Sequence, residues 1–163
     1  IETLNGLPDL QRVRAQRNLL VGLAMDEYRS DYRRGDFLIR TLMGVDRQRG
    51  ALAVGALPRP GQTIQFQMRD ADAADEDLAQ LLAAARATLA GRVPAAALVC
   101  ACNGRGVGLF GGPDHDAAAL SGVFGPLPTA GLFCNGEIGP VGGRAYLHGF
   151  TASVGLFVGT DGE

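Results

Sequence analysis

The hydrophobic pattern of the first part of the chain predicts strands. Short apolar runs alternate with turns that contain glycine, proline or aspartate, and the predicted strands cover residues 18–25, 37–45, 51–56 and 62–69. The close spacing of these runs favours an antiparallel meander. In the last run, Ile64, Phe66 and Met68 alternate with polar residues, so the sheet is expected to have one solvated face.

A helical pattern dominates residues 74–90. Apolar side chains recur there about every 3.6 positions, and the stripe consists of Leu78, Leu81, Leu82, Ala85 and Leu89. Asp72 or Asp75 is expected to cap the start of this helix, whereas Gly91 and Pro94 should end it. Acidic residues near the start and arginines near the end complement the helix dipole, so this charge run is predicted to be structural.

Shorter elements complete the predicted fold. Two further helices are predicted over residues 9–17 and 114–124, the first with Leu10 and Val13 facing inward. More strands are predicted over residues 96–102, 130–135, 144–147 and 151–158. A run of strands followed by interleaved helices and strands indicates the α+β class. We predict a layered domain with a mixed, mostly antiparallel sheet and two main helices after an N-terminal strand meander.

Composition and charge narrow the classes of function. The chain has 163 residues, which fits a single domain, and it contains no apolar run long enough for a membrane span. Its net charge is -2, so we expect no nucleic acid partner. No secretory signal precedes its three cysteines, which favours reduced thiols and a cytoplasmic location. Because the sequence starts at Ile1 rather than Met, it is predicted to be part of a longer polypeptide.

The stretch CNGEIGPVGG frames one acid, Glu137, with glycines. If residues 132–138 form one strand, Asn135 and Glu137 point to the same face. Glu137 could then hold an ammonium group, while glycine amides or Arg105 receive a carboxylate, an arrangement that suits a free amino acid. The alternative is that Glu137 only accepts hydrogen bonds that close a turn. The predicted ligand-binding residues are Arg105, Asn135, Glu137, Gly139 and Gly142.

Arg105 follows a predicted strand within the segment Asn-Gly-Arg-Gly. This segment lacks the Lys-Ser/Thr ending of a phosphate loop, so a nucleotide ligand is not expected. The alternative to a ligand contact is a surface ion pair between Arg105 and Asp114 or Asp116.

The cysteines raise the question of metal or catalytic chemistry. Cys100 and Cys102 lie two residues apart on one face of an apolar predicted strand, and further possible metal ligands are Cys134, His115 and His148. The spacing is unlike that of structural zinc sites, so no metal is expected. Cys134 with a histidine as its base would be an enzymatic arrangement, but no nucleophile motif surrounds it. His148 and Thr151 are expected to fasten the last strand instead. The sequence therefore predicts no catalytic residue and no cofactor.

Several segments together resemble the FIST C-terminal domain. The most specific is GLFCNGEIGP at residues 131–140, followed by LHGFTAS at residues 147–153. The similarity extends to residues 4–8, 61–70 and 102–106, and so covers most of the chain. It implies an intracellular sensory module of prokaryotic signalling that binds a small ligand such as an amino acid. It also implies a partner, the N-terminal FIST half that normally precedes this domain.

We therefore predict a sensory domain that is not an enzyme and binds a small ligand. One alternative is a hydrolase or transferase that uses Cys134 or Glu137. The other is an interaction module, in which the sheet forms a homodimer or docks the missing N-terminal half.

Overall fold

The computed structural model describes residues 6–141 and 143–159, without the side chains of residues 10, 11, 14, 16 and 17. The chain divides into two compact units, Ile1–Arg69 and Asp70–Glu163. The α+β class is confirmed, because strands precede the main helices and the sheets are antiparallel or mixed. No helix within the described residues is long and apolar enough to cross a membrane.

Within its described residues, the first unit contains one helix and a four-stranded antiparallel sheet. Its elements are α1 (Asp9–Asn18), β1 (Leu19–Ala24), β2 (Phe37–Asp46), β3 (Ala51–Val54) and β4 (Ile64–Met68). The strands run in the order β3-β2-β1-β4. The predicted meander is therefore wrong for β4, because the chain returns past the hairpins and pairs β4 with β1, the strand order of a Greek key.

Strand β1 forms the centre of this sheet and carries its core. Leu20, Val21, Leu23 and Ala24 are all buried, as expected for an apolar strand with neighbours on both sides. Val13 of α1 is 53% exposed, so its predicted inward orientation is wrong. The side chain of Leu10 is not among those that the structure describes. The alternating apolar residues of β4 are also substantially exposed.

The second unit contains three helices and five strands within its described residues. Its elements are α2 (Ala71–Thr88), β5 (Ala96–Cys102), α3 (Val107–Phe110), α4 (His115–Phe124), β6 (Thr129–Cys134), β7 (Glu137–Val141), β8 (Arg144–His148) and β9 (Ala152–Phe157). Three strands form a sheet in the order β6-β5-β9, in which β5 is parallel to β6 and antiparallel to β9. Strands β7 and β8 form a separate antiparallel hairpin.

Helices α2 and α4 cover one face of the three-stranded sheet. The buried core consists of Leu78, Leu82, Val99, Ala101 and Leu120. Leu81 was predicted to belong to it but is 59% exposed, because α2 contacts the core through a narrower stripe of residues than the sequence pattern suggests. The opposite face of β5 carries Cys100 and Cys102.

The limits of α2 show which local signals decide a helix end. Asp70 is the N-cap, and its side chain accepts a hydrogen bond from Ala73 N at 3.1 Å, so the predicted caps Asp72 and Asp75 are wrong. The helix consequently begins three residues before the predicted start. Just after the helix, Ala90 and Gly91 adopt φ angles of 50° and 92°, which lie in the left-handed region. Gly91 therefore helps to end the helix, as predicted.

Two elements were not predicted, the short helix α3 and the strand β7. The prediction of one strand over residues 132–138 is wrong, because the chain bends between β6 and β7 at Asn135 and Gly136. A Cβ at Gly136 would lie 3.1 Å from Leu147 Cδ1, so the bend relies on close packing against β8. Glu137 therefore begins a new strand rather than continuing β6.

Candidate functional site

The carboxyl ends of the parallel strands β5 and β6 meet at one edge of the sheet. We call the segments that follow them, residues 103–106 and 135–137, the β5–β6 edge. Asn103 ties the two segments together, since its N–H donates to Cys134 O at 2.9 Å and its Nδ2 donates to Asn135 Oδ1 at 2.5 Å. Open sheets commonly bind ligands just beyond the carboxyl ends of parallel strands. This edge is therefore the candidate site.

Glu137 lies at this edge and is only 1% exposed. Its Oε2 accepts hydrogen bonds from the hydroxyl and the N–H of Thr151, at 2.9 and 3.3 Å. Among the described residues, its Oε1 accepts a hydrogen bond only from the thiol of Cys134, at 3.5 Å. None of these donors is cationic, so within the described residues the carboxylate has no countercharge. We call Glu137, Thr151 and Cys134 the Glu137 cluster.

A buried carboxylate held only by neutral donors is an expensive arrangement. Hydrogen bonding recovers part of the cost of removing the charge from water, but a long thiol contact recovers little of it. Buried polar groups are usually fully hydrogen-bonded, so this acid is a candidate for binding a ligand. The hydrogen bonds from Thr151 also confirm the structural role that was predicted for it in fastening the last strand, which begins at the next residue.

The environment of Cys134 bears on whether its thiol could act as a nucleophile. Burial raises the pKa of the Cys134 thiol, and its hydrogen bond to Glu137 raises the pKa further. Because the thiolate is the reactive form, this environment disfavours nucleophilic chemistry at neutral pH. The described contacts give Cys134 a carboxylate neighbour rather than a histidine.

The hairpin of β7 and β8 continues from Glu137 and packs against β9. Ser153 Oγ donates to Ile138 O at 2.7 Å, and His148 Nε2 donates to Gly139 O at 3.0 Å. A Cβ at Gly139 would lie 3.5 Å from Ser153 Oγ, so this glycine sits at the contact between hairpin and sheet. Gly139 thus supports the hairpin that carries Glu137, and Gly142 lies outside the described residues.

Arg105 was predicted as a ligand contact or as a surface ion pair. The structure pairs it with Asp116 through two hydrogen bonds, from Nε at 2.9 Å and from Nη2 at 2.7 Å. The pair is buried rather than at the surface, since Arg105 is only 6% exposed. Burial raises the pKa of Asp116, but the hydrogen bonds from Arg105 and His115 outweigh this effect and lower the pKa overall.

His115 extends this ion pair into a longer network. Its Nδ1 lies 3.1 Å from Asp116 Oδ1, and its Nε2 lies 3.0 Å from Asp75 Oδ1. The His115 ring stacks on the Phe110 ring with 3.5 Å between their centroids. The Arg105 guanidinium lies 5.2 Å from the centroid of the Phe110 ring. We call Arg105, Asp116, His115 and Asp75 the charge network. It links the β5–β6 edge to the starts of α2 and α4.

Sequence reasoning found some of these residues and missed others. Arg105, Asn135 and Glu137 do all follow the carboxyl ends of β5 and β6, but their described hydrogen bonds place them in three separate groups. The pair of Arg105 and Asp116 was one of the predicted alternatives, whereas Asn103 and the extension of that pair through His115 to Asp75 were missed, because Asp75 and His115 meet only when two helices pack. Within the described residues, no three His, Cys, Asp or Glu side chains are arranged to hold a metal ion.

Comparison with known proteins identifies the family. The profile of the FIST C domain matches residues 5–140. The chain is 44% identical to the uncharacterized protein Rv0628c of Mycobacterium tuberculosis, over 97% of this chain and 44% of the relative. It is 45% identical to the uncharacterized protein Mb0898c of Mycobacterium bovis, over 96% of this chain and 40% of the relative. The chain thus spans less than half the length of these relatives. No solved structure matches it significantly.

Proposed function

Since the chain belongs to the FIST C domain family, a family of sensory domains in signalling proteins, we propose that it binds a small metabolite with an ammonium group, such as an amino acid. The ligand binds at the β5–β6 edge and leaves chemically unchanged. We further propose that an N-terminal FIST half, the partner that the family resemblance implies, forms the remaining wall of the site and transmits occupancy within a cytoplasmic signalling protein.

The observation that carries this proposal is the buried carboxylate of Glu137. Its Oε2 accepts hydrogen bonds from the two donors of Thr151, whereas among the described residues Oε1 has only the 3.5 Å contact with the thiol of Cys134. An ammonium group that reaches Oε1 forms a charge-assisted hydrogen bond in a region of low dielectric. A cationic ligand therefore supplies the countercharge that the described residues lack.

Asn135 provides the second contact of the proposed site. Its Oδ1 accepts from Asn103, which fixes the amide and leaves its Nδ2 available to donate to a ligand carboxylate. Arg105 is engaged with Asp116, so in this proposal it acts mainly by positioning the segment that carries Asn103. The proposed ammonium site at Glu137 and the proposed carboxylate site at Asn135 lie two residues apart where the chain bends from β6 into β7, and together they suit the two ends of an amino acid.

The absence of turnover in this proposal is supported by the chemistry of Cys134. Its raised pKa leaves little thiolate at neutral pH, and its nearest carboxylate accepts a hydrogen bond from it. The thiol is better suited to hold Oε1 of Glu137 until a stronger donor displaces it.

A thermal-shift screen against the common amino acids and related metabolites tests this proposal. A ligand at 100 times its Kd stabilises the native state by about 2.7 kcal/mol, which corresponds to a rise in Tm of roughly 5–10 °C. Glu137→Gln keeps the shape of the side chain but removes its charge, and should abolish the shift. Asp114→Asn is the matched control, because this acid is exposed and its side chain makes no capping hydrogen bond.

Two outcomes contradict the proposal. If the Tm shift persists in Glu137→Gln, the ligand binds elsewhere. If no compound shifts the Tm of the folded protein, this chain does not bind these ligands. Mass spectrometry of the recovered ligand separates binding from catalysis. A changed ligand, with turnover lost in Cys134→Ser or Glu137→Gln, favours the hydrolase or transferase alternative.

A further inference from the structure

Strand β6 lies at the edge of the three-stranded sheet and is exposed along almost its whole length. It pairs with β5 on one side, and among the described residues no strand pairs with its other side. Leu132 and Phe133 are 57% and 59% exposed. An edge of this kind offers unpaired backbone groups together with an apolar surface.

The parallel register identifies which backbone groups face outward. Ala97 N donates to Pro128 O, and Asn103 N donates to Cys134 O, so the even-numbered residues of this segment face β5. Because successive residues of a strand direct their backbone groups to opposite sides, Thr129, Gly131 and Phe133 direct theirs outward. These residues offer three N–H donors and three carbonyl acceptors to a further strand.

The side chains of β6 do nothing to block such pairing. Natural edge strands are usually protected by a charge, a proline or a bulge. The sequence of β6, TAGLFC, has no charged residue and no proline, and its register with β5 is continuous. None of these protective features is therefore present in β6.

We propose that β6 pairs in antiparallel fashion with β6 of a second copy of this chain, about a twofold axis at Gly131. In this register Gly131 faces its own equivalent, Thr129 faces Phe133, and Ala130 faces Leu132. Each large side chain thus meets a small one across the axis, a self-complementarity that a symmetric interface requires. The paired residues Thr129, Gly131 and Phe133 are also those whose backbone groups point outward.

The chemistry of β6 favours a second copy as the occupant of this edge. A twofold interface brings identical residues close together, and a charged strand would repel itself there. Strand β6 carries no charge, and pairing joins two three-stranded sheets into a continuous sheet of normal size. This inference does not depend on the proposed ligand, because it uses only the outer side of β6.

Sedimentation over a concentration series tests whether the chain dimerises. Between about 1 and 100 µM, we expect the measured mass to rise from 17.0 kDa toward twice that value. Leu132→Lys places two like charges beside the axis and should raise the dissociation constant at least tenfold. Leu81→Lys is the matched control, since Leu81 is equally exposed but lies on α2, and it should leave the dissociation constant unchanged.

Residue-level hydrogen exchange locates the interface without any substitution. The amides of Gly131 and Phe133 should exchange at least tenfold more slowly at the high concentration than at the low one. The amides of Ala130 and Leu132 bond to β5 in both states and provide the internal control. A mass that stays at that of one chain overturns the proposal, and so does a dimer in which the outward amides remain unprotected.

Discussion

Removing one partner of the buried pair of Arg105 and Asp116 should strongly destabilise the second unit. Asp116→Asn preserves the shape of the side chain but removes the charge that faces a guanidinium with only 6% exposure. Removing one partner of a buried ion pair costs about 3–5 kcal/mol, because the other charge remains buried without compensation. We expect about 3 kcal/mol, the lower end of that range, since the amide oxygen can still accept one hydrogen bond from Arg105.

Urea denaturation followed by circular dichroism measures this effect. A loss of about 3 kcal/mol shifts the urea midpoint by roughly 1–3 M at the slopes usual for small proteins. Asp114→Asn makes the same chemical change two residues earlier, at an exposed position, and should alter the free energy of unfolding by less than about 0.5 kcal/mol. The two variants together separate the buried charge from a general effect of losing an acid.

A double variant distinguishes the charge from the packing around it. Arg105→Met with Asp116→Leu removes both charges and keeps much of the buried volume, so it should recover most of the stability lost in Asp116→Asn. If Asp116→Asn is as stable as the wild type, the pair contributes nothing and the reasoning fails. If the double variant is no more stable than Asp116→Asn, the loss arises from packing, and the electrostatic explanation is wrong.

The pKa of Asp116 lies below its ordinary value of 3.8, so its stabilising effect is complete above that pH and is lost as pH falls through the lower folded-state pKa. Acid titration of unfolding free energy should therefore show a steeper fall below about pH 4 in the wild type than in Asp116→Asn. At Gly131, a Cβ would lie 2.3 Å from Val99 O, so Gly131→Ala should cost more than about 2 kcal/mol. Gly122→Ala, in open space within α4, should instead stabilise by up to about 1 kcal/mol. Equal effects of the two substitutions, measured by urea denaturation, would contradict the steric argument.

The sequence predicted the class of fold well where local patterns and burial agree. Strand β5 has an apolar sequence and matches its prediction at both ends, because it is central to its sheet and needs no special turn. The helix α2 was also found, although Leu81 was wrongly placed in the core. Periodicity identifies which residues can face inward, but the width of the contact decides which of them do.

The candidate site was predicted less completely, for two physical reasons. The segment around Glu137 is rich in glycine, and its division into β6, a bend and β7 depends on packing against β8, which periodicity does not report. The ion pair of Arg105 and Asp116 was among the predicted alternatives, but its extension through His115 to Asp75 depends on the packing of two helices, which sequence distance does not report. Glu137 itself was found, because a single acid among glycines is a local feature.

The Glu137 cluster connects the proposed ligand site to strand β6, through which the chain is proposed to dimerise. Thr151 precedes β9 and Cys134 ends β6, so a cation that takes Oε1 of Glu137 displaces a contact made by the last residue of the pairing strand. If the displaced thiol alters the geometry of β6, ligand binding and dimerisation are thermodynamically linked, and each must change the affinity of the other by the same factor. Because Glu137→Gln tests the ligand site and Leu132→Lys tests the pairing of β6 with a second copy, each proposal can fail while the other stands. Their coupling exists only if ligand alters the dimer affinity of the wild type and not that of Glu137→Gln.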